Sequence, residues 1–459
     1  MSRRIAVFSG SFNPPAAHHR TVAEELAKHF DEVIVVPGGP RTDRPTSGPT
    51  DPIHRAIMTD LTFRGLPNVR VDHSDLEHAQ FSRTHLLDEK YRPLGEVWHA
   101  VGADMVRGGR QGRSFIHESW ERGSELWHSL NFAVVARDGF GLDEGDLPPR
   151  HCLFSPGVSG ASTEIRERVF RGGGIDGLVL PAVAKHIERY GLYRGSLPSR
   201  SAELDLSSPR PLVLFDEWNP EARRVAGSLT TAPAEEANCI LVIGGDGTMI
   251  RSIRQYWRMR LPFFGLNAGH RGHLLNDLSD RMPETALSST LRVQMLPLFY
   301  VETVDSAGHA TAHYAMNDAW VERASGQAAW LKVTIDGEVR LPKLVGDGAL
   351  VATAVGSTAY ARSMGATPLL ADAQAFLLVG SNVSEPENWK SAHLPLDAEV
   401  SIESLDPAKR PVRAYVDASG KGLVRSLRAR ISRTAAVELV FAPGKDITSK
   451  LLEGLFPGK

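Results

Sequence analysis

Through residues 1–195, short apolar runs alternate with stretches whose apolar positions recur at helical spacing. RIAVF at 4–8 reads as a buried strand. A helical stretch follows over 17–30, with Val22, Leu26 and Phe30 four residues apart. EVIVV at 32–36 predicts the next strand. Asp51-Pro52 has the form of an N-cap followed by proline at the first helical position, which opens a helix to about Arg64. Residues 69–71, 96–101 and 132–136 predict further strands. Strands alternating with helices imply a parallel sheet wound by right-handed crossovers.

The pattern lapses over 196–209, a Ser- and Pro-rich stretch without apolar periodicity, and this is the expected linker. It restarts at 212–215, continues through a helix near 221–228, and reaches CILVI at 239–243, which runs into a glycine cluster. From about residue 291 the period changes to two, as in AWLKVTID at 329–336 and PVRAYVD at 411–417. The expected organisation is an α/β domain over 1–195, a linker over 196–209 and a second domain over 210–459. That second domain divides into an α/β lobe over 210–290 and a β-rich lobe over 291–440.

Composition narrows the class. Of 459 residues, 42% are hydrophobic and 23% charged, which suits a globular chain and excludes wholesale disorder. Two cysteines, Cys152 and Cys239, are too few for a disulfide framework. A formal net charge of −2 argues against a nucleic-acid-coating protein. The apolar run near the N-terminus is too short for a signal peptide, and no segment approaches the ~18 apolar residues of a membrane span. A cytoplasmic location, with neither nucleic acid nor membrane as partner, is the expectation.

Two stretches carry chemistry. Strand 4–8 runs into Ser9-Gly10-Ser11-Phe12-Asn13-Pro14-Pro15 and then into a helix bearing His18 and His19. A glycine turn between the carboxyl end of a strand and a helix is where open parallel sheets bind ligands, and the free amides there favour phosphate. Gly102-Ala103-Asp104 follows another strand, and Ser162-Thr163-Glu164-Ile165-Arg166 opens a helix with hydroxyls and a guanidinium. In this order the three segments resemble the nicotinamide/nicotinate mononucleotide adenylyltransferase family over nearly all of 1–195.

That resemblance implies a Rossmann-like nucleotidyltransferase domain. It places Gly10, Ser11, Phe12 and Asn13 at the nucleotide backbones, with Gly102 and Asp104 near the ATP adenosine. It assigns His19 and Arg166 to the ATP phosphates, with His18, Ser162 and Thr163 beside them. The family's bacterial motif is GSFNPPHxGH. Here Ala16 replaces its first histidine and His18 its glycine, and only His19 matches. Helical geometry directs His18 ~100° away from His19.

The second stretch is Gly244-Gly245-Asp246-Gly247-Thr248 after strand 239–243. Glycines admit close approach to phosphates, whereas a carboxylate among them suits a base that takes a hydroxyl proton. With Asn267-Ala268-Gly269-His270-Arg271-Gly272-His273, Asn317-Asp318, Gly346-Asp347-Gly348 and Gly356-Ser357-Thr358-Ala359-Tyr360, the order resembles NAD kinases over 211–440. The resemblance makes Asp246 the general base for the adenosine-ribose 2′-hydroxyl of NAD. Gly244, Gly245, Gly247 and Thr248 then serve the ATP phosphates, and Asn317 and Asp318 the NAD adenosine. Asn267, Gly269 and His273 lie beside the nucleotide; Thr358, Ala359, Tyr360 and Ser363 line the dinucleotide site, with Asp347 on the nicotinamide side.

The two resemblances together imply successive steps. A pyridine mononucleotide (NMN or nicotinate mononucleotide) would be joined to AMP from ATP, and NAD would then be phosphorylated to NADP, with Mg²⁺ accompanying ATP and a homo-oligomer formed through the kinase domain. The alternative is an NAD kinase carrying a catalytically degenerate, nucleotide-binding regulatory domain, which Ala16 favours.

Overall fold

The computed structural model describes residues 2–41, 50–136, 142–157, 160–195, 199–206, 208–269, 272–277 and 291–456. His270 and Arg271 of the second motif set lie outside them. The chain divides into two compact units, Met1–Ser199 and Arg200–Lys459.

The first unit is built on six strands: β1 (Arg4–Gly10), β2 (Glu32–Pro37), β3 (Val69–Val71), β4 (Glu96–Gly102), β5 (Asn131–Val135) and β6 (His151–Phe154). All pair in parallel, in the order β3-β2-β1-β4-β5-β6. The order reverses between β1 and β4, which opens a crevice at their carboxyl ends. Ile5 and Val7 pack with Ile34, Val36 and Leu87 on one face of the sheet, while Ala6 and Val33 pack with Val22 and Leu26 on the other. Asp51 caps the helix Pro52–Phe63 by accepting from the Ile53 amide at 3.0 Å, as Asp-Pro implies.

The second unit contains β7 (Ser201–Leu204), β8 (Pro211–Phe215), β9 (Cys239–Gly244), β10 (Phe263–Asn267), β11 (Asn276–Asp277), β12 (Leu291–Val304), β13 (Ala310–Ala315), β14 (Asp318–Arg323), β15 (Ala329–Ile335) and β16 (Glu338–Gly346). It continues with β17 (Gly348–Ala352), β18 (Ala375–Ser381), β19 (Ser391–Pro395), β20 (Glu399–Ser404), β21 (Val412–Val416), β22 (Ser419–Val424) and β23 (Ser426–Phe441). Strands β8, β9 and β10 are parallel, and β9 is buried along its whole length. A second sheet, ordered β19-β18-β17-β14-β21-β22, is antiparallel throughout.

One expectation is corrected here. Residues Ser201–Leu204, inside the expected linker, form a strand that pairs antiparallel with β12. One sheet also runs across residue 291, from β8–β10 on to β12 and β23. β12 and β23 are long enough to serve two cores. Leu296 and Leu439 pack in the core under β9 and β10, whereas Phe299, Val301, Leu427 and Ala429 pack in the β-rich core. The β12–β23 register shifts between Pro297 and Phe299, where the one core gives way to the other.

Candidate nucleotide sites

In the first unit, β1 ends in the loop that the sequence singled out. Phe12 takes a left-handed φ of +42° and turns its ring inward against Phe8, Phe63 and His19, with centroids 5.1–5.7 Å away. The loop's carbonyls are held by cations. Buried Arg55 donates to the carbonyls of Ser11 and of Gly38 (2.7 Å), and Arg166 donates to the Asn13 carbonyl at 2.6 Å. The Ser162 hydroxyl donates to the Pro14 carbonyl at 2.8 Å. Burial lowers the Arg55 pKa to about 10, so it stays charged at neutral pH. Tyr193 donates to Asn13 Oδ1 at 2.7 Å, and the buried Asn13 Nδ2 has no protein partner.

A cavity of about 250 Å³ at the β1/β4 crevice brings Gly10, Phe12, His18, His19, Gly102 and Asp104 together. The two histidine rings lie 4.1 Å apart and line it jointly, contrary to the divergence expected from helical geometry. They sit on the first turn of the helix Ala17–Ala27, and His18 packs against Gly160 across the cavity. His19 Nδ1 accepts from the Ala16 amide at 2.9 Å, which leaves Nε2 as its proton-bearing nitrogen. Ala16 itself is 2% exposed. A neighbouring cavity of about 330 Å³ takes Ser11, Arg41, Arg55 and Trp120. Thr163 and Arg166 brace the loop rather than line either cavity.

In the second unit, β9 delivers Gly244 and Gly245, and Asp246 opens the helix Asp246–Tyr256. A side chain at Gly244 would meet Thr248 at 2.8 Å and Asp216 at 3.2 Å, so the close approach requires glycine. The Asp246 carboxylate accepts two backbone amides, from His273 at 3.0 Å and Leu274 at 2.9 Å. Lys450 braces that segment by donating to the carbonyls of Gly272 (3.2 Å) and Leu275. Asn267 Oδ1 accepts from the Gly269 amide at 3.0 Å and shapes the loop after β10.

A cavity of about 640 Å³ brings Gly247 together with Asn317, Asp318, Ala359 and Tyr360. A Cβ on Gly356 would lie 2.0 Å from the Asn317 carbonyl, so that glycine is what lets the two motifs touch. Asn317 Oδ1 is buried without a protein partner and suits an amino group of a bound base. Thr358, Ser363 and Asp347 do not line this cavity. Asp347 is tied to Asn382 at 2.6 Å and Arg323 at 2.5 Å, which hold its carboxyl below the usual range.

Sequence reasoning missed several residues here. Arg251 and Arg254 project from the helix after Gly247 and line the same cavity with Trp320, which stacks on Tyr415 at 4.8 Å. Asp417, at the tip of the β21–β22 hairpin, accepts from the amides of Met316 (2.7 Å) and Asn317 (2.8 Å) and so fixes the Asn317–Asp318 pair. Burial, and then the neighbouring Asp417, push the Asp318 carboxyl up to about 7. Burial raises Asp417 as well. An aspartate closing an alternating run such as PVRAYVD is a hairpin signal, and it was the available clue.

Each unit thus presents a strand–glycine turn–helix at the carboxyl end of a parallel sheet, with cavities beside it, which defines a two-unit α/β protein of the nucleotide-binding class. The comparisons with known proteins agree. The Cytidylyltransferase-like family matches residues 7–168, and the ATP-NAD kinase N-terminal domain matches residues 208–287. An NAD kinase of Cereibacter sphaeroides (strain ATCC 17029) is 34% identical over 224 residues, 49% of this chain and 88% of that protein. Those of Brucella melitensis (34%; 49% and 86%) and Rickettsia bellii (31%; 50% and 89%) are similar. Among solved structures, yeast NADH kinase complexed with NADH aligns at 17% identity, covering 56% of this chain and 90% of that one, with a TM-score of 0.49. The chain belongs to the NAD kinase family through its second unit, and it carries a cytidylyltransferase-like unit before it.

Proposed function

We propose that the chain makes NADP in two steps, adenylyl transfer in the first unit and NAD phosphorylation in the second. The observation that carries the second step is Asp246. Its carboxylate is held by two amides at a helix start, next to Gly247 on the wall of the cavity that holds Asn317 and Tyr360. A hydroxyl is a weak nucleophile and needs a base within hydrogen-bond reach. Asp246 takes the proton of the adenosine-ribose 2′-hydroxyl of NAD, the oxygen attacks the γ-phosphorus of ATP, and ADP leaves. Relatives named NAD kinase support this reading.

The first step needs no base. The phosphate of NMN or nicotinate mononucleotide is already anionic, and it attacks the α-phosphorus of ATP and expels pyrophosphate. The work left to the protein is positioning and charge neutralisation. His19, His18 and the cation-braced loop around Gly10 suit it. In this reading Mg²⁺ comes with ATP and would be held largely by its phosphates. Mg²⁺ supplies charge neutralisation on those phosphates.

A second reading, an NAD kinase with a retired first unit, is favoured by Ala16, which offers no hydrogen bond where the adenylyltransferase motif has histidine. One experiment separates the two. The full chain is incubated with Mg²⁺, ATP and NMN, in parallel with nicotinate mononucleotide, and the dinucleotides are identified by mass. NADP from NMN establishes both steps. NADP formed only when NAD is supplied leaves the kinase alone.

A further inference from the structure

The loop after β8, which touches the Gly244–Thr248 turn through Asp216, borders a second hollow whose lining shares no residue with the cavity that holds Asn317 and Tyr360. Strand β8 ends in the loop 216–219, whose geometry is tied to both motif loops around it. Asp216 Oδ2 lies 3.5 Å from the Thr248 hydroxyl, and Asp216 Oδ1 accepts the Trp218 amide at 3.1 Å. Asn219 Nδ2 donates to the Ala268 carbonyl at 3.0 Å, beside Asn267 and Gly269. The loop therefore reaches from β8 to the segment after β10, past the turn at the end of the intervening β9.

On this fixed loop Trp218 is 94% exposed, the most exposed of the large apolar side chains among the described residues. It borders a hollow of about 380 Å³ with Glu217, Pro220, Arg223 and Arg224. Arg223 is committed to the Glu217 carbonyl at 2.5 Å, and Arg224 to Glu221. The hollow thus offers an aromatic face with its neighbouring cations already engaged, which suits a flat, uncharged ring system more than a further phosphate.

In-line phosphoryl transfer needs donor and acceptor on opposite sides of the phosphorus. The cavity with Asn317, Asp318 and Tyr360 suits one of them, and the hollow beside Trp218, on the loop that touches Thr248, suits the other. We propose that Trp218 and its hollow hold the purine base of the phosphoryl donor, a nucleoside triphosphate, while the Gly244–Thr248 turn takes its phosphates. This rests on the NAD kinase reading and deepens it, because a donor recognised through its base is a nucleoside triphosphate rather than inorganic polyphosphate.

The test supplies NAD at saturation to the full chain and varies ATP, with inorganic tripolyphosphate as a base-free competitor. Base–aromatic stacking contributes between about fivefold and a hundredfold in affinity. Trp218→Ala is expected to raise KM for ATP within that range, to leave KM for NAD unmoved and to leave inhibition by tripolyphosphate unchanged. Trp218→Phe keeps most of the ATP affinity. An unchanged KM for ATP in Trp218→Ala, or an equal weakening of ATP and tripolyphosphate, overturns the base contact and leaves the kinase reading standing. A wild-type chain that forms no NADP from NAD and ATP overturns the kinase reading and this proposal together.

Discussion

The two nucleotide turns share a backbone plan and differ in what grips them. In the first, main-chain carbonyls are taken by guanidiniums, buried Arg55 on Ser11 and on Gly38 of the neighbouring loop, and Arg166 on Asn13. In the second, a carboxylate, Asp246, is taken by main-chain amides. The first arrangement concentrates fixed positive charge around a loop, and the second holds one negative group in a set orientation. The difference matches the proposed nucleophiles. A mononucleotide phosphate is already charged and needs only neutralising surroundings, whereas a ribose hydroxyl needs a base. On the proposed function, one strand–turn–helix frame serves two kinds of group transfer, with the local ligands of the turn choosing between them.

The sharpest way to break that contrast is to remove each group and follow both steps. Asp246→Ala is expected to lower NAD phosphorylation by roughly 10²–10⁴, the usual worth of a positioned base. Adenylyl transfer should continue in this variant, so that NMN and ATP yield NAD that accumulates. The complementary change, His19→Ala, should cost adenylyl transfer about 10²–10³, by analogy with the loss of a donor to a developing oxyanion. It should leave phosphorylation of supplied NAD intact. Separate assays of each step read both variants. Loss of both steps in either variant would show that the turns do not act independently.

What was legible in the sequence follows the same division. Both turns stand between a short apolar run and an amphipathic helix, so their position at strand ends could be read directly from periodicity. The groups that grip them could not. Arg55 lies in the apolar helix PIHRAIMTDLTF, and only the fold shows that its guanidinium reaches two carbonyls of neighbouring loops. Asp417 is 100 residues from the Asn317 amide it accepts. Ser201–Leu204 alternates Ser, Ala, Glu and Leu, and Leu204 packs in the core beside Ala202, but four residues set among Ser and Pro are too short a run to stand out as a strand. That β12 serves two cores was not legible either, because periodicity reports burial without saying in which core.

The carboxylate pair in the second site gives a smaller, pH-dependent test. Asp318 is raised from 3.8 to about 7 by burial and by Asp417. Between those values the folded chain keeps a proton that the unfolded chain has lost. Stability therefore falls as pH rises through this window, and the loss is complete above the folded value. The melting temperature of the second unit is expected to drop between about pH 4 and about pH 7. Asp318→Asn should flatten the drop, and a residual slope belongs to Asp417, which is raised in the same direction. An unaltered drop in Asp318→Asn would show that the proton is not held there. The first unit's Arg55 stays charged throughout this range, so an Arg55 variant should not alter the slope.

The smallest effect comes from a feature the two sites share, a non-glycine residue in the left-handed region at the rim. Phe12 has φ +42° and Ala418 has φ +60°. For an L-residue that conformation costs roughly 1–2 kcal/mol. Ala418 lies at the tip of the hairpin, where two successive positive φ values, at Asp417 and Ala418, are those of the turn that favours Asp-Gly. Its methyl group lines the large cavity and carries no ring or hydrogen bond that glycine would forfeit. Ala418→Gly should therefore relieve the strain at the expense of some unfolded-chain entropy, for a net gain of about 0.5–1 kcal/mol. In a unit of this size that is a rise of about 1–4 °C in melting temperature. The same replacement at Phe12 should act in the opposite direction. There the ring fills the space beside Gly10 and meets Phe8, Phe63 and His19, so packing outweighs backbone relief. If Ala418→Gly also destabilised, the hairpin tip would have to depend on the methyl contact, and the strain at the second site would then be sustained by packing as it is at the first.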